Sequence, residues 1–217
     1  MRRVFVDPAA PQRDAIEEAV TWILGGGVVA LGTDTLYGLA VDPFNRAAVS
    51  RLFEVKEREA DRAVPLIAAD ASQITAHLGR VTAAAERLAS RYWPGPLTLV
   101  VPAPAALSRD VTGGRRTVGV RVPAFEIARA VCAGCGRPVT ATSANLSGQP
   151  PTADPDAVER TLGGRIDFLL DTGPAPGGPP STIVDVTVDP PALIREGAVP
   201  WAEIQTWLDT HHTGPRA

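Results

Sequence analysis

The sequence predicts an α/β domain built on a mixed sheet, and three observations carry that prediction. Short apolar runs alternate with amphipathic stretches of helical period over the first half of the chain. In the second half the apolar runs come closer together, as strands that pair without an intervening helix would. The 20 glycines and 21 prolines fall in turns between those runs and form no low-complexity tract. At 217 residues the chain fits one large domain. That domain is set at 1–208, with 209–217 expected as a disordered tail.

The elements follow in order. PQRDAIEEAVTWILGG (11–26) reads as an amphipathic helix with Ile16, Val20 and Ile23/Leu24 on its apolar side, stopped by glycines. VVALGT (28–33) is a buried-strand candidate, and GTDTLYGLA places Thr33, Asp34 and Thr35 after it. NRAAVSRLFEVKER (45–58) is a helix with Asn45 as N-cap and Ala48, Leu52 and Val55 on one side. VPLIAAD (64–70) is a strand, followed by helical stretches at 71–79 and 81–92. PLTLVVPA (96–103) and TVGVRVPA (117–124) are strands, and 125–134 is a helix. PVTATSAN (138–145) is one strand running into a polar loop. A short helix at 155–162 leads to the strands DFLLDTG (167–173) and STIVDVT (181–187). ALIREGA (192–198) and a last helix, WAEIQTWLD, close the domain, with Trp201, Ile204 and Leu208 as its apolar stripe.

Composition excludes several classes. No apolar run approaches the roughly 20 residues that span a bilayer, and MRRVFVDPAAPQRD lacks a signal-peptide core, so the expectation is a cytoplasmic protein with no membrane partner. The net charge of −3 argues against binding nucleic acid through bulk basicity and leaves a local basic groove open. The two cysteines, Cys132 and Cys135 in CAGC, lack the second half of a zinc site and read as small apolar residues at a helix end. Phosphate-loop, dinucleotide and nucleophile-elbow motifs are absent. The histidines are His77, in a helical stretch, and His211 and His212, in the tail, so no Ser-His-Asp set suggests itself. Any chemistry rests on positioning and electrostatics, with a substrate that brings its own reactive groups.

One basic residue stands apart. Lys56 is the only lysine among 21 lysines and arginines, and it sits in FEVKEREADRAVPL beside Arg58 and Arg62. Other polar residues fall at strand ends: Thr33, Asp34 and Thr35; Thr117 and Arg121; Thr142, Ser143, Asn145 and Ser147; Ser181 and Thr182; and Arg195. Cations and small hydroxyls in such places suit an anionic ligand such as a nucleotide. Each also has a plain structural reading. Lys56 and Arg58 fit a solvated helix C-terminus, Arg121 and Arg195 fit exposed strand faces, and the hydroxyls fit capped turns. Spacing alone stops at an α/β domain with room for an anion.

The ordered set says more. TDTLYGLAVD (33–42), Lys56-Glu57-Arg58, PLIAAD (65–70), YWPGPLTLV (92–100), TVGVRVP (117–123), TSANLSG (142–148), STIVD (181–185) and IREGA (194–198) together resemble the YrdC/TsaC family, the threonylcarbamoyl-adenylate synthases. The resemblance implies a YrdC-like twisted mixed sheet with flanking helices and a concave ligand-binding face. It implies a reaction in which L-threonine, bicarbonate and ATP, with magnesium, yield threonylcarbamoyl-AMP and pyrophosphate. Downstream tRNA threonylcarbamoyl-transfer proteins are the implied partners, with tRNA or double-stranded RNA as a further ligand. Thr35, Arg121 and Ser181 then fall around threonine. Lys56, Arg58, Thr117, Ser143, Asn145 and Arg195 fall on the nucleotide side, and Lys56, Arg58, Ser143 and Asn145 are the implied catalytic set. Lys56 is expected against phosphate oxygens. Arg51, Arg58, Arg62, Arg115, Arg116 and Arg121 are candidates for a basic concave face.

There are departures from the family pattern. Asp34 stands where many relatives have glutamate. Glu57 and Glu59 surround Arg58, where many have K-G-R-P. Arg62 stands where asparagine or lysine is common, and Pro180 precedes Ser181-Thr182 where many have glutamate. Leu66-Ile67-Ala68 replaces a strand in which some relatives carry a histidine. Longer members carry a further C-terminal domain, which is not expected in a chain of this length. The alternatives are an RNA-binding module without catalysis, a synthase of another carbamoyl-adenylate like the hydrogenase-maturation carbamoyltransferases, and an inactive paralogue. The loop GPAPGGPP (173–180) is expected to be mobile.

Overall fold

The computed structural model describes residues 1–58 and 62–210. The chain opens on strand β1 (Arg2–Phe5), helix α1 (Arg13–Leu24) and strands β2 (Val29–Gly32) and β3 (Tyr37–Ala40). Next come α2 (Arg46–Lys56), β4 (Leu66–Ile67), α3 (Ala71–Leu78), α4 (Ala83–Tyr92) and β5 (Leu97–Pro102). A single helical turn, α5 (Arg109–Thr112), precedes β6 (Thr117–Arg121), α6 (Glu126–Cys135), β7 (Val139–Thr140) and β8 (Thr142–Ser143). The last elements are α7 (Pro155–Leu162), β9 (Phe168–Asp171), β10 (Thr182–Asp185), β11 (Ala192–Arg195) and α8 (Trp201–Thr210). Helix α8 runs past the boundary set at 208. Residues 211–217 of the expected tail, with His211 and His212, lie outside the described residues.

The strands form two mixed sheets, ordered β1-β9-β2-β3-β8 and β11-β10-β5-β6-β4-β7. The stretch expected as one strand, PVTATSAN, is two. β7 pairs antiparallel with β4 in the second sheet, and β8 pairs antiparallel with β3 in the first. The break falls at Ala141, whose N–H donates to Pro65 O at 2.8 Å. Thr140, fully buried, closes the corner: its hydroxyl accepts from Val41 N at 2.9 Å and donates to Leu39 O at 3.3 Å. A buried hydroxyl needs both partners where regular ladder bonds stop. Two further strands differ from expectation. β3 lies in a segment to which the sequence reading gave no element and is buried on both faces. β1 carries little apolar signal and is held by parallel pairing with the distant β9.

Two cores lie on the faces of the first sheet. Val29, Leu31, Phe168 and Leu170 pack under α1 and α6, while Ala30, Leu39 and Leu169 pack toward α2 and the second sheet. A strand buried on both faces has no alternation, which is why VVALG is continuously apolar. The buried stripe of α1 is Ala15, Ala19 and Ile23, and Leu24 is 47% exposed. Helix seating explains the offset from the expected stripe. A Cβ on Gly134 of α6 would lie 2.7 Å from Val20 Cγ2, so α1 and α6 meet at a seam only small residues permit.

The same seating accounts for CAGC. Gly134 lets the helices approach, and Cys132 and Cys135 turn inward, free and buried. Burial raises both thiols well above the ordinary cysteine range, Cys135 to about 12. Native protein is therefore expected to resist a disulfide thiol reagent at mildly alkaline pH and to react fully on unfolding. Fast labelling of the native state would show that α6 opens. Among the described residues no helix is long and apolar enough to cross a membrane.

Candidate active site

The site begins at the turn between β2 and β3. Thr33 Oγ1 donates to Leu36 O at 2.7 Å and lies 3.2 Å from Thr35 Oγ1. This turn presents Asp34 to β6. Arg121 Nη1 donates to Asp34 Oδ1 at 2.9 Å, and Asp34 Oδ2 accepts from Ala124 N at 3.2 Å. Arg121 is only 8% exposed, so the reading of an exposed strand face is set aside. Its burial lowers the guanidinium pKa against the opposing pull of Asp34, a signature of a cation held where charge is costly. On the same face of β6, Gly119 leaves the floor open: a Cβ there would meet Thr98 Cγ2 at 3.1 Å.

The second wall is the 142–149 loop. Asn145 is 9% exposed, and its Nδ2 donates to Leu146 O at 3.1 Å and Gln149 O at 2.5 Å. Behind the loop, α2 ends. Asn45 caps its start by accepting from Ala47 N and Ala48 N, worth about 1 kcal/mol. Its last residue, Lys56, is 3% exposed. The ammonium donates to Ser143 O, to Asn145 O at 2.8 Å and to Asn145 Oδ1 at 3.3 Å. The structure thus places Lys56 against carbonyls at the rear of the loop, where the sequence led us to expect phosphate oxygens. Burial, followed by the charge of Arg58, brings its pKa down to about 8.

Glu57 then reverses the chain in a left-handed conformation, φ 51 and ψ 47. It is the one non-glycine positive φ among the described residues. That turn sends Arg58 to the cleft side, where its Nη1 donates to Thr142 Oγ1 at 3.3 Å and its Nη2 to Ala63 O at 3.0 Å. Glu57 also meets Arg165 at 2.6 Å in a pair of exposed side chains, worth at most about 1 kcal/mol. Glu57→Gly is expected to stabilise the fold by about 1 kcal/mol, raising Tm by about 2–4 °C. A lowered Tm would mean that the Arg165 pair outweighs the backbone strain. Glu59 lies outside the described residues.

The third wall is β10–β11. Ser181 Oγ lies 2.8 Å from Thr98 Oγ1, and Arg195 Nη2 donates to Ser181 O at 2.7 Å. Burial and the charge of Arg121 lower the pKa of Arg195. The Gly/Pro loop is anchored to the site: Gly177 N donates to Thr35 O at 2.8 Å, Ala175 N to Ala153 O at 2.8 Å, and Tyr37 Oη to Gly173 O at 2.7 Å.

These walls enclose a cleft of about 440 Å³ lined by Thr35, Arg58, Arg121, Ser143, Ser181 and Arg195, with Thr98 and Thr142 among its other polar residues. Among the described residues, three guanidinium groups and no carboxylate line it. A larger cavity, about 500 Å³, is mostly apolar and lies between α3 and α4, and among the described residues no cation lines it. Chemistry favours the smaller cleft for an anionic ligand, because three cations converge with hydroxyls there, whereas the charged residues of the larger cavity are Asp70 and Glu86. Of the candidates, Lys56, Asn145 and Thr117 do not line it. Thr117 shares the strand face of Arg121 at its far end, opposite Pro102. The sequence reading missed Thr98, though a polar residue centred in PLTLVVPA was a signal, and did not assign Asp34 a role. Of the arginines expected on a basic face, Arg51 is paired with Asp167 at 2.6 Å and Arg121 with Asp34.

The Sua5/YciO/YrdC family model, described as telomere recombination, matches residues 21–197. The chain belongs to the Sua5/YciO/YrdC family. The resemblance drawn from the eight ordered segments is borne out. The threonylcarbamoyl-AMP synthase of Pyrococcus abyssi is 40% identical over 198 residues, covering 89% of this chain and 58% of that protein. The Vibrio vulnificus threonylcarbamoyl-AMP synthase is 38% identical over 184 residues, covering 84% of this chain and 98% of that protein. The crystal structure of Pyrococcus abyssi Sua5 complexed with L-threonine matches with a TM-score of 0.91 at 37% identity, covering 96% of this chain and 61% of that one. The chain thus spans about three fifths of the Pyrococcus members of the Sua5/YciO/YrdC family and nearly all of the Vibrio one.

Proposed function

We propose that this chain is an L-threonylcarbamoyladenylate synthase, making threonylcarbamoyl-AMP and pyrophosphate from L-threonine, bicarbonate and ATP. The observation that carries the reading is the cleft on which three arginines converge with the hydroxyls of Thr35, Ser143 and Ser181. The named activity of the relatives and the threonine in the Pyrococcus structure support it. Arg121 is the candidate anchor for the threonine carboxylate, since a guanidinium pairs with a carboxylate through parallel N–H bonds. Thr35 and Ser181 offer hydroxyls nearby. Arg58, Arg195 and Ser143 are the candidates for the triphosphate side.

The substrates supply the nucleophiles. The threonine amine forms an N–C bond to carbon dioxide from bicarbonate, losing a proton and leaving a carbamate. A carbamate oxygen then bonds to the α-phosphorus, the bond to the β-phosphate bridging oxygen breaks, and pyrophosphate leaves with its charge. The protein aligns the reactants and offsets that charge with guanidinium groups. No histidine base is required.

Magnesium is expected to enter as Mg–ATP. Among the described residues no three His, Cys, Asp or Glu side chains converge on a metal position, so the ion is treated as part of the substrate. The product would pass to proteins that transfer the threonylcarbamoyl group to an adenosine of tRNA. The test is pyrophosphate release with Mg–ATP, omitting threonine or bicarbonate in turn. Release that needs both supports the reading, and release that needs neither sinks it.

A further inference from the structure

Lys56 is the chain's only lysine, and its surroundings do not match a phosphate contact. An ammonium has three N–H donors. Here they meet Ser143 O, Asn145 O and Asn145 Oδ1, so none is left for a ligand. The side chain does not line the cleft and lies among Leu52, Phe53 and Val64. The same residue holds the loop a second way, because Ser147 N donates to Lys56 O at 2.9 Å. The last turns of α2, leading to Lys56, are fixed by buried Leu52 and Val55. One helix terminus therefore grips the 143–147 segment by both its side chain and its backbone.

We propose that Lys56 is a positioning residue that holds the loop carrying Ser143 and Asn145 from behind and makes no contact with the nucleotide. Turning the Ser143 and Asn145 carbonyl oxygens to the rear keeps their negative ends away from the triphosphate. It also fixes Ser143, which does line the cleft. Three acceptors converging on one nitrogen suit an ammonium, whereas a planar guanidinium spreads its donors. That is the reason for one lysine in an arginine-rich chain. Arg58, two residues on, reaches the cleft because Glu57 reverses the backbone. The lowered pKa agrees with an ammonium sealed behind the loop.

The kinetic part of this inference rests on the proposed synthase activity, while its placement of Lys56 does not. With a single lysine, the placement test needs no variant. Native protein is treated with an amine-acylating reagent at mildly alkaline pH, with and without Mg–ATP, and the Lys56 peptide is read by mass spectrometry. Lys56 stays unmodified in both states and reacts on unfolding. Ready acylation in free protein that Mg–ATP suppresses would overturn the proposal. Amide exchange gives a second readout: folded Lys56→Met loses protection at Ser147.

Kinetically, Lys56→Arg and Lys56→Met both lower kcat, each on the order of 10²-fold for a displaced loop. Near-full turnover in Lys56→Arg with loss in Lys56→Met would reassign Lys56 to charge contact with phosphate. If wild-type protein makes no threonylcarbamoyl-AMP, the synthase reading fails, and acylation and exchange alone decide the role of Lys56.

Discussion

Arg121→Ala is expected to raise the KM for threonine by about 10²-fold, the equivalent of about 3 kcal/mol of charge-assisted hydrogen bonding. The same change is expected to lower the unfolding free energy by about 3 kcal/mol, because it leaves Asp34 without the partner it meets at 2.9 Å. Asp34→Asn makes the informative contrast. It leaves a guanidinium that is 8% exposed without a counter-charge, and threonine can then restore one. Threonine should therefore raise the Tm of Asp34→Asn by more than that of wild type, and should leave Arg121→Ala unmoved. A threonine-induced shift in Arg121→Ala equal to wild type would remove Arg121 from the threonine site.

Gly197→Ala is expected to cost about 3 kcal/mol of stability and most of the activity. A Cβ at this position would stand 2.1 Å from Pro180 O and 2.7 Å from Ser181 C. Both are backbone atoms, so no side chain can swing aside. The segment is also tied from below: Gly197 N and Val199 N donate to the buried Thr182 hydroxyl at 2.9 and 3.0 Å, and that hydroxyl donates to Val199 O at 2.6 Å. A shift there displaces Ser181 and Arg195 together. Gly164→Ala, where an added Cβ meets nothing within 4 Å, is the control. Equal urea midpoints for the two variants would show that the 180–182 strand end yields without cost.

Much of this was legible beforehand. Helix α7 spans 155–162 as read, and Asn45 caps α2 as read. Such signals are local: they depend on residues within one or two turns of helix. The ordered motifs identified the family; of the residues they implied, Thr35, Arg58, Arg121, Ser143, Ser181 and Arg195 line the cleft, and Lys56, Thr117 and Asn145 do not. The misreadings share one cause. β1 exists through β9, the PVTATSAN strand breaks where two sheets each claim half of it, and the α1 stripe shifts because α6 packs at Gly134.

Lys56 shows the division most clearly. The sequence by itself determined that one ammonium stands beside Arg58 at a helix end, and that the chain carries the motifs of a nucleotide-using family. Only the tertiary structure decided that the two cations face opposite sides of one loop. That outcome depends on a left-handed turn at Glu57, a conformation spacing does not report, and on carbonyls 87 and 89 residues further along the chain. A charge buried so far from its sequence neighbours is placed by whichever acceptors the fold brings to it.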